Sequence, residues 1–454
     1  MSLFVALQTS AQALNVYQRA LAVTQKNVIN ASTPGYARHT APQVALEFRP
    51  EQGIYGGVAA GELRSLRDEF AERGVRRQVT VYGRYEQLSA WLSQVEGQFD
   101  VSGQSGVPAA INRLFSSFSA LSVTPNDPGA RLQVMARAEE VARHFSGAAL
   151  EMTATAAEGR RAAAEITAEV NRLAGQVVNF NRAARDQASA SGDPGLSAQA
   201  FAALEELSEL VDIQVLRQGD GSFTVLAGGQ VPLVVGDRQY QLEADLSSGP
   251  AVILRDSRGD DVTASITGGR LGGAVAFANE YVPGYAAGLN ELARNLADAV
   301  NAVLAAGVDN QNPPQPGAAL FAYNAPADAA YSLSVNPLSI EELAAALPGA
   351  EGGNGNALAL ADLGRTAQIG SDTFAAFYGR IASRVGADAT AARELRISHE
   401  LLATQARNYR EERQGVSLDE EAAQLIEVQR AYQANAKVFQ VIDSLTETTI
   451  AMLR

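Results

Sequence analysis

The sequence predicts a mainly α protein that carries a small inserted antiparallel β domain. Its two ends are closed by amphipathic helices that pair as a coiled coil. Three observations lead there. Large apolar residues recur at helical spacing near both termini. About sixty residues from Pro128 to near Gln187 pass without a second proline. At Val211 the apolar period changes from helical to two. The expected organisation is an inner domain from 1–40 plus 400–454, a helical bundle from 41–207 plus 268–399, and a β insert at 208–267.

The first helix follows from Leu3, Leu7, Leu14, Tyr17, Leu21 and Val28, with Phe4 and Val5 widening the face. It should stop before Ser32-Thr33-Pro34-Gly35. Residues 40–60, rich in Pro and Gly with short alternation at Val44, Leu46 and Phe48, predict extended or irregular structure. Helical patterns follow at 67–100, carrying Leu88, Trp91, Leu92 and Val95, and at 109–121. Asp127 as N-cap and Pro128 at the first helical position open the long helix. At 1.5 Å per residue it would span roughly 90 Å. Gly192-Asp193-Pro194-Gly195 ends it.

Residues 212–216 and 222–226 flank Gly219-Asp220-Gly221 and predict a hairpin, continued by strands at 233–235, 240–242, 252–254 and 262–266. Helix returns over 271–306, broken near Pro283-Gly284, and again over 373–414; a proline-rich loop and a mixed region lie between. After Gly415, Ser417 as N-cap and Glu420 three residues on make a capping box. The final helix then carries Leu425, Val428, Tyr432, Phe439, Ile442, Leu445 and Leu453 in one stripe. Burying seven such side chains returns less than ordering nearly forty backbones takes. The stripe therefore needs a partner, in the same chain or in another copy of it.

With 454 residues the chain is long enough for two to four domains. A net charge of −14 argues against nucleic acid and anionic membranes as partners. The absence of cysteine removes disulfides, thiolate catalysis and cysteine-ligated metals. The first residues lack the basic and continuous apolar regions of a signal peptide, and no run reaches the ~18 apolar residues of a span. The expected location is the cytoplasm, or outside the cell by another export route.

Candidate chemistry is sparse. His39, His144 and His399 show no metal spacing and read as surface or packing residues. Asp256, Asp260 and Asp261 lie at a turn in an order that does not fit a calcium loop. Arg258-Gly259-Asp260 reads as hairpin turn, and Gly352-Gly353-Asn354-Gly355 opens no phosphate-loop motif. The pairs Glu139-Glu140, Glu205-Glu206 and Glu420-Glu421 diverge by about 100° on a helix and are expected on solvated faces. No catalytic, cofactor-binding or metal-ligating residue is expected.

Four blocks resemble the flagellar hook-associated protein 1 family, the FlgK type. The first runs over 27–38 and contains Asn27, Pro34, Gly35, Tyr36 and Arg38, a stretch similar to one shared by rod, hook and junction proteins. The second is 125–145, the third 268–309. The fourth holds Gly415, Val416, Leu418, Asp419, Glu420 and Glu421, followed by 429–436. Gln414 stands where a serine commonly precedes that glycine, and the β insert is short beside larger members.

The resemblance implies a non-enzymatic axial protein joining hook to filament, exported by the flagellar type III apparatus. It implies as partners further copies in a ring, the hook protein, a second junction protein, and a cytoplasmic export chaperone of the FlgN type on the C-terminal helix. The apolar stripes would then serve subunit packing, and the 27–38 block the helix exit and a subunit contact. A distal rod or hook protein of the same superfamily remains the alternative. In other classes stand a cell-wall glycosidase using an acidic pair and a surface adhesin using the β insert.

Overall fold

Helices make up most of the computed structural model, which describes residues 3–49, 51, 54–99, 103–186 and 193–452. In order these helices are α1 (Leu3–Ile29), α2 (Glu69–Glu96), α3 (Gly106–Val123), α4 (Pro128–Asp186), α5 (Pro194–Leu210), α6 (Gly269–Ala276), α7 (Val282–Ala306), α8 (Ala329–Ser332), α9 (Gly355–Asp362), α10 (Phe374–Gln414) and α11 (Leu418–Met452). The expected helix ends at Asp100 and Gln187, and the stripe residue Leu453, fall outside the described residues. The 59-residue α4 starts as anticipated: Asp127 accepts from Gly129 N at 3.3 Å and Ala130 N at 3.1 Å. The same device opens α5, where Asp193 accepts from Gly195 N at 2.8 Å and Leu196 N at 3.2 Å.

The described chain divides into two compact units. One comprises Met1–Tyr82, Ala168–Leu242 and His399–Arg454; the other comprises Gly83–Thr167 and Glu243–Ser398. In the first unit, six short strands follow α1 and nest as antiparallel pairs. They are β1 (His39–Thr40) with β6 (Arg64–Ser65), β2 (Gln43–Ala45) with β5 (Val58–Ala60), and β3 (Phe48–Arg49) with β4 (Ile54–Tyr55). The same unit holds a four-stranded sheet of β7 (Ile213–Arg217), β8 (Phe223–Ala227), β9 (Val231–Val235) and β10 (Arg238–Gln239), in spatial order β10-β9-β8-β7.

The expected insert at 208–267 is not one piece. The compact units part after Leu242, and β11 (Glu243–Asp245) pairs with β12 (Ile253–Arg255) in a separate ribbon of the second unit. Asparagines on α4 explain why β7–β10 belong with the helices. Asn181 accepts from Phe223 N at 2.8 Å and donates to Phe223 O at 2.7 Å, while Asn171 exchanges two bonds with Leu242. The Phe223 ring packs on Phe180 and Phe201, each at 5.3 Å.

Two further expectations change. Residues 262–266 form no strand: Asp261 accepts from the N–H and hydroxyl of Thr263, turning Thr263–Ser265 into a 3₁₀ helix. At Pro283 the helix is not broken. A π-helical turn, Phe277–Tyr281, leads into α7 and places the proline in its first turn, where a missing N–H is tolerated. The second unit has the larger apolar core, in which Trp91 stacks on Phe277 at 5.4 Å and Phe115 on Phe374 at 5.7 Å. There too lies β13 (Phe321–Ala322), paired with β14 (Ser334–Val335).

In the first unit α1 packs along α11. Asn27 meets Glu421 and Gln18 meets Tyr432, so the two helices run antiparallel. The buried seam of α1 is Ser10, Ala13, Val16, Ala20, Thr24 and Asn27. It lies about one residue off the expected stripe. Leu3, Leu7, Leu14, Tyr17 and Leu21 are half-buried beside it, and Val28 is exposed. Small side chains allow the helix axes to approach, so the large ones straddle the contact rather than fill it. On α11, Val428 is buried, Leu425, Tyr432, Phe439 and Ile442 are half-buried, and Leu445 is exposed.

Candidate functional site

The residues of the two terminal motifs, far apart in sequence, meet in one polar clasp. It begins with the chain reversal after α1. Thr33 N bonds to Asn30 O and Tyr36 N to Thr33 O, with Gly35 at φ +73°. Glycine is required there twice over. The positive φ disfavours a side chain, and a Cβ would lie 2.3 Å from Ala198 O and 2.8 Å from Ala202 N on α5. Pro34 itself is exposed and serves the turn.

The reversal brings Tyr36, Arg38 and His39 back over Asn27, which is 2% exposed. Every hydrogen-bonding position of the Asn27 amide is used. Its nitrogen donates to His39 O at 2.9 Å and to Glu421 Oε2 at 3.0 Å. Its oxygen accepts from Tyr36 OH at 2.9 Å and from His39 N at 3.0 Å. Asparagine alone among the neutral residues of this size supplies two donors and an acceptor with two lone pairs.

Glu421 has 0% exposure and takes its second bond from Arg38 Nε at 2.6 Å. Arg38 also reaches Glu420 at 3.1 Å, and its backbone N donates to Gln414 O at 2.9 Å. The capping box expected at the start of α11 is therefore half-formed. Ser417 accepts from Glu420 N at 3.4 Å, but the Glu420 carboxylate turns to Arg38. A charged partner outcompetes a backbone N–H. Asp419, Glu420 and Glu421 still place three acidic residues in the first turn, where the helix dipole favours them.

A second layer continues the clasp. Arg67 donates to Glu72 Oε1 and to Gly35 O, both at 2.6 Å, and its guanidinium lies 3.7 Å over the Phe201 ring. Gln414 accepts from Asp68 N at 2.8 Å and donates to Glu72 Oε1 at 2.7 Å. Its amide thus ties the end of α10 to the start of α2, which a serine is too short to do. Arg410 reaches Glu72 at 3.4 Å and also pairs with Glu205, which Arg407 holds at 2.7 Å. Gly415 has no room for a Cβ, which would stand 2.4 Å from Glu411 O; Val416 is half-buried beside it and Leu418 exposed.

Burial, with a smaller effect from the Glu421 charge, pushes the Tyr36 hydroxyl up to about 12, so it stays a donor. For Glu205 burial alone would raise the pKa, but Arg410 and Arg407 outweigh it and the net shift is downward. His39 is pulled below its ordinary value chiefly by burial, with Arg67 and Lys26 adding to the effect against the Ala37 carbonyl. Its imidazole is thus neutral in the folded clasp. As pH falls below the ordinary value of 6.5, the unfolded chain binds the proton first. This contribution to stability is present above that value and is lost toward the depressed folded one. The drop in stability between about pH 7.5 and about pH 5.5 is accordingly expected to shrink in His39→Gln. Equal drops in the parent and the variant would remove His39 from the account.

Only one member of each acidic pair sits on a solvated face as expected. The other is drawn in against arginine: Glu140 by Arg113 and Arg137, Glu205 by Arg407 and Arg410, Glu421 by Arg38. The outer members, Glu139, Glu206 and Glu420, are exposed, though Arg143 also reaches Glu139 and Arg38 reaches Glu420. Arg67, Glu72, Arg407 and Arg410 escaped the sequence reading. One signal for Glu72 was present: it shares a helical face with Val75 and Val79, both 0% exposed. Among the described residues no group of three or more acidic or histidine side chains is placed to hold a metal. No described helix is long and apolar enough to cross a membrane.

Fold and clasp together define a helical structural protein whose two chain ends are knotted at one point and paired along their length. Residues 92–321, just over half of the chain, match the family described as the flagellar hook-associated protein FlgK helical domain. Residues 408–452 match the C-terminal family of the flagellar basal body rod FlgEFG proteins. The chain belongs to the FlgK family of flagellar hook-associated proteins. It is 26% identical over 499 residues to flagellar hook-associated protein 1 of Bacillus subtilis (strain 168), covering 99% of this chain and 98% of that one. To flagellar hook-associated protein 1 of Salmonella typhimurium it is 25% identical over 316 residues, covering 65% of this chain and 56% of the relative. The structure of the flagellar hook junction protein FlgK from Burkholderia pseudomallei matches with a TM-score of 0.68 at 16% identity, covering 74% of this chain and 99% of that one. At that identity the likeness concerns the fold.

Proposed function

We propose that this chain is a structural adaptor between hook and filament, working by subunit packing and not by catalysis. One observation carries the reading. The α1–α11 pair buries a seam of small residues and leaves a second apolar row facing outward, with Val438, Val441 and Leu445 on α11 48%, 59% and 51% exposed. These three recur at helical spacing and form a strip that a neighbouring subunit would cover as a coiled coil. The half-buried Leu3, Leu7, Leu14, Tyr17 and Leu21, and Leu425, Tyr432, Phe439 and Ile442, border the seam and would pack between copies in a ring.

In this reading the terminal helices line the inner tube. The clasp sets the angle at which the helix pair meets the rest of the first unit. Hook protein and a second junction protein are the neighbours along the axis. A FlgN-type chaperone covers the α11 row in the cytoplasm before export through the flagellar type III apparatus, which leaves the protein outside the cell. The arginine-held carboxylates Glu140, Glu205 and Glu421 support a structural role over acid–base chemistry.

Val441→Asp combined with Leu445→Asp tests the packing role without touching the buried seam. The expected result is a folded monomer, and cells with hooks but no filaments that shed flagellin. Normal filament attachment would overturn the proposal. The match of 408–452 to rod proteins favours one second reading, a distal rod or hook subunit. Polymerisation of the purified chain into tubes without a preassembled hook would select it.

A further inference from the structure

A groove of about 490 Å³ in the first unit lies between α2 and β7, lined by Phe70, Arg73, Arg76, Arg77, Val81 and Leu216 among others. Arg76 is 6% exposed; its carbonyl accepts from Thr80 Oγ1 at 2.9 Å, but among the described residues its guanidinium makes no hydrogen bond and no ion pair. The nearest acids are engaged elsewhere. Glu72 already takes Arg67, Gln414 and Arg410, and Glu69 takes Arg217 at 3.4 Å. Burial pulls the Arg76 pKa down, opposed by the charges of Glu72 and Glu69. The guanidinium nitrogens are not among the buried polar atoms that lack a partner, so they reach solvent at the groove and are open to an anionic acceptor. Asp212 also lines the groove and keeps an interaction of its own.

The other wall is an open sheet edge. Gly228 N bonds to Asp212 O, and Gln218 N to Ser222 O, so the even-numbered residues of β7 turn their backbone groups toward β8. Ile213, Val215 and Arg217 therefore present theirs outward, on the edge that no other strand pairs among the described residues. An unpaired edge beside a cationic groove suits an extended segment bearing a carboxylate.

We propose that this groove receives the 43–48 strand arm of a second copy of the chain, with Glu47 taken by Arg76. The arm is extended, and its Val44, Leu46 and Phe48 are 49%, 42% and 61% exposed. Glu47 is 66% exposed and, among the described residues, bonded only across the surface to Arg49, a weak tie. β2 pairs only with β5 among the described residues, so its outer edge is also free to add to β7. The contact would link neighbours laterally and rests on the subunit-packing role proposed above.

The test uses the full chain and a fluorescent peptide of residues 43–48, so it needs no assembled flagellum. The expected result is binding with a Kd below about 1 mM, weakened about tenfold or more by Arg76→Met in the protein or by Glu47→Gln in the peptide. The free Arg76→Met chain should melt close to the parent. The guanidinium makes no hydrogen bond or close ion pair within the described chain, and only longer-range charges, those of Glu72 and Glu69 foremost, act on it. No binding at about 1 mM overturns the proposal, as does equal binding by the Met variant or the Gln peptide. A markedly lower melting temperature for Arg76→Met overturns it too, since Arg76 would then be a structural residue. Failure here alongside filament loss in the Val441/Leu445 variant would reject the groove contact and leave the packing role standing.

Discussion

Gly35→Ala is expected to open the clasp at a cost of about 3 kcal/mol or more. Two independent terms add. Holding an L residue at φ +73° costs roughly 1–2 kcal/mol. The new Cβ would stand 2.3 Å from Ala198 O, a helix carbonyl that cannot rotate away, so either α5 or the turn must move. Moving the turn carries Gly35 O away from Arg67 and leaves that guanidinium, already bonded to Glu72, short of one acceptor. Hydrogen exchange is the suitable readout, because Trp91, the sole tryptophan, lies in the other compact unit. Amides of β1 and the first turns of α11 should exchange faster while Trp91 fluorescence still reports a folded second unit. Unchanged protection would mean that the Gly35–α5 approach does not hold the clasp.

Asn27→Asp should be comparably severe, about 3–5 kcal/mol. The change is nearly isosteric, so packing is not the cause. Two donors vanish, leaving His39 O and Glu421 Oε2 without partners, and a second carboxylate is placed beside a fully buried one. Arg38 alone would then face both charges. Adding Glu421→Gln removes the repulsion and returns an N–H donor to the site, so the double variant should recover part of the loss. Strict additivity of the two effects would argue that these side chains do not touch. Asn27→Leu, which keeps the site neutral but leaves four polar groups unpaired, separates lost hydrogen bonding from charge repulsion.

The helices were legible because each carries its own start and stop signals. Asp127-Pro128 and Gly415 act over three or four residues, and the structure uses each where it stands. Asp193-Pro194, expected only as a stop, also caps α5, a helix not anticipated from the sequence. The α1 stripe was legible in period and off in phase by about one position, whereas on α11 the expected Val428 is itself buried. Ser10, Ala13 and Ala20 are buried at the contact, while Leu14 and Leu21 flank it. Periodicity weighted by side-chain size points to the bulkiest face, whereas two helices meet where their backbones can come closest. Glu205 illustrates another limit. On α5 it differs from Glu206 only by a rotation of about 100°, yet it faces Arg407 and Arg410 while Glu206 faces solvent.

By itself the sequence determined the class of fold, the turn at Pro34-Gly35, the separate identities of the two terminal motifs and, together with the blocks at 125–145 and 268–309, the family. Tertiary structure alone decided that these motifs are halves of one clasp. Asn27 and Glu421 lie 394 residues apart, and neither carries a local mark of the other. Hydrogen bonding between side chains depends on angles and distances within a few tenths of an ångström. Those are fixed only once α1, α2, α5, α10 and α11 have packed, so no spacing along the chain encodes them.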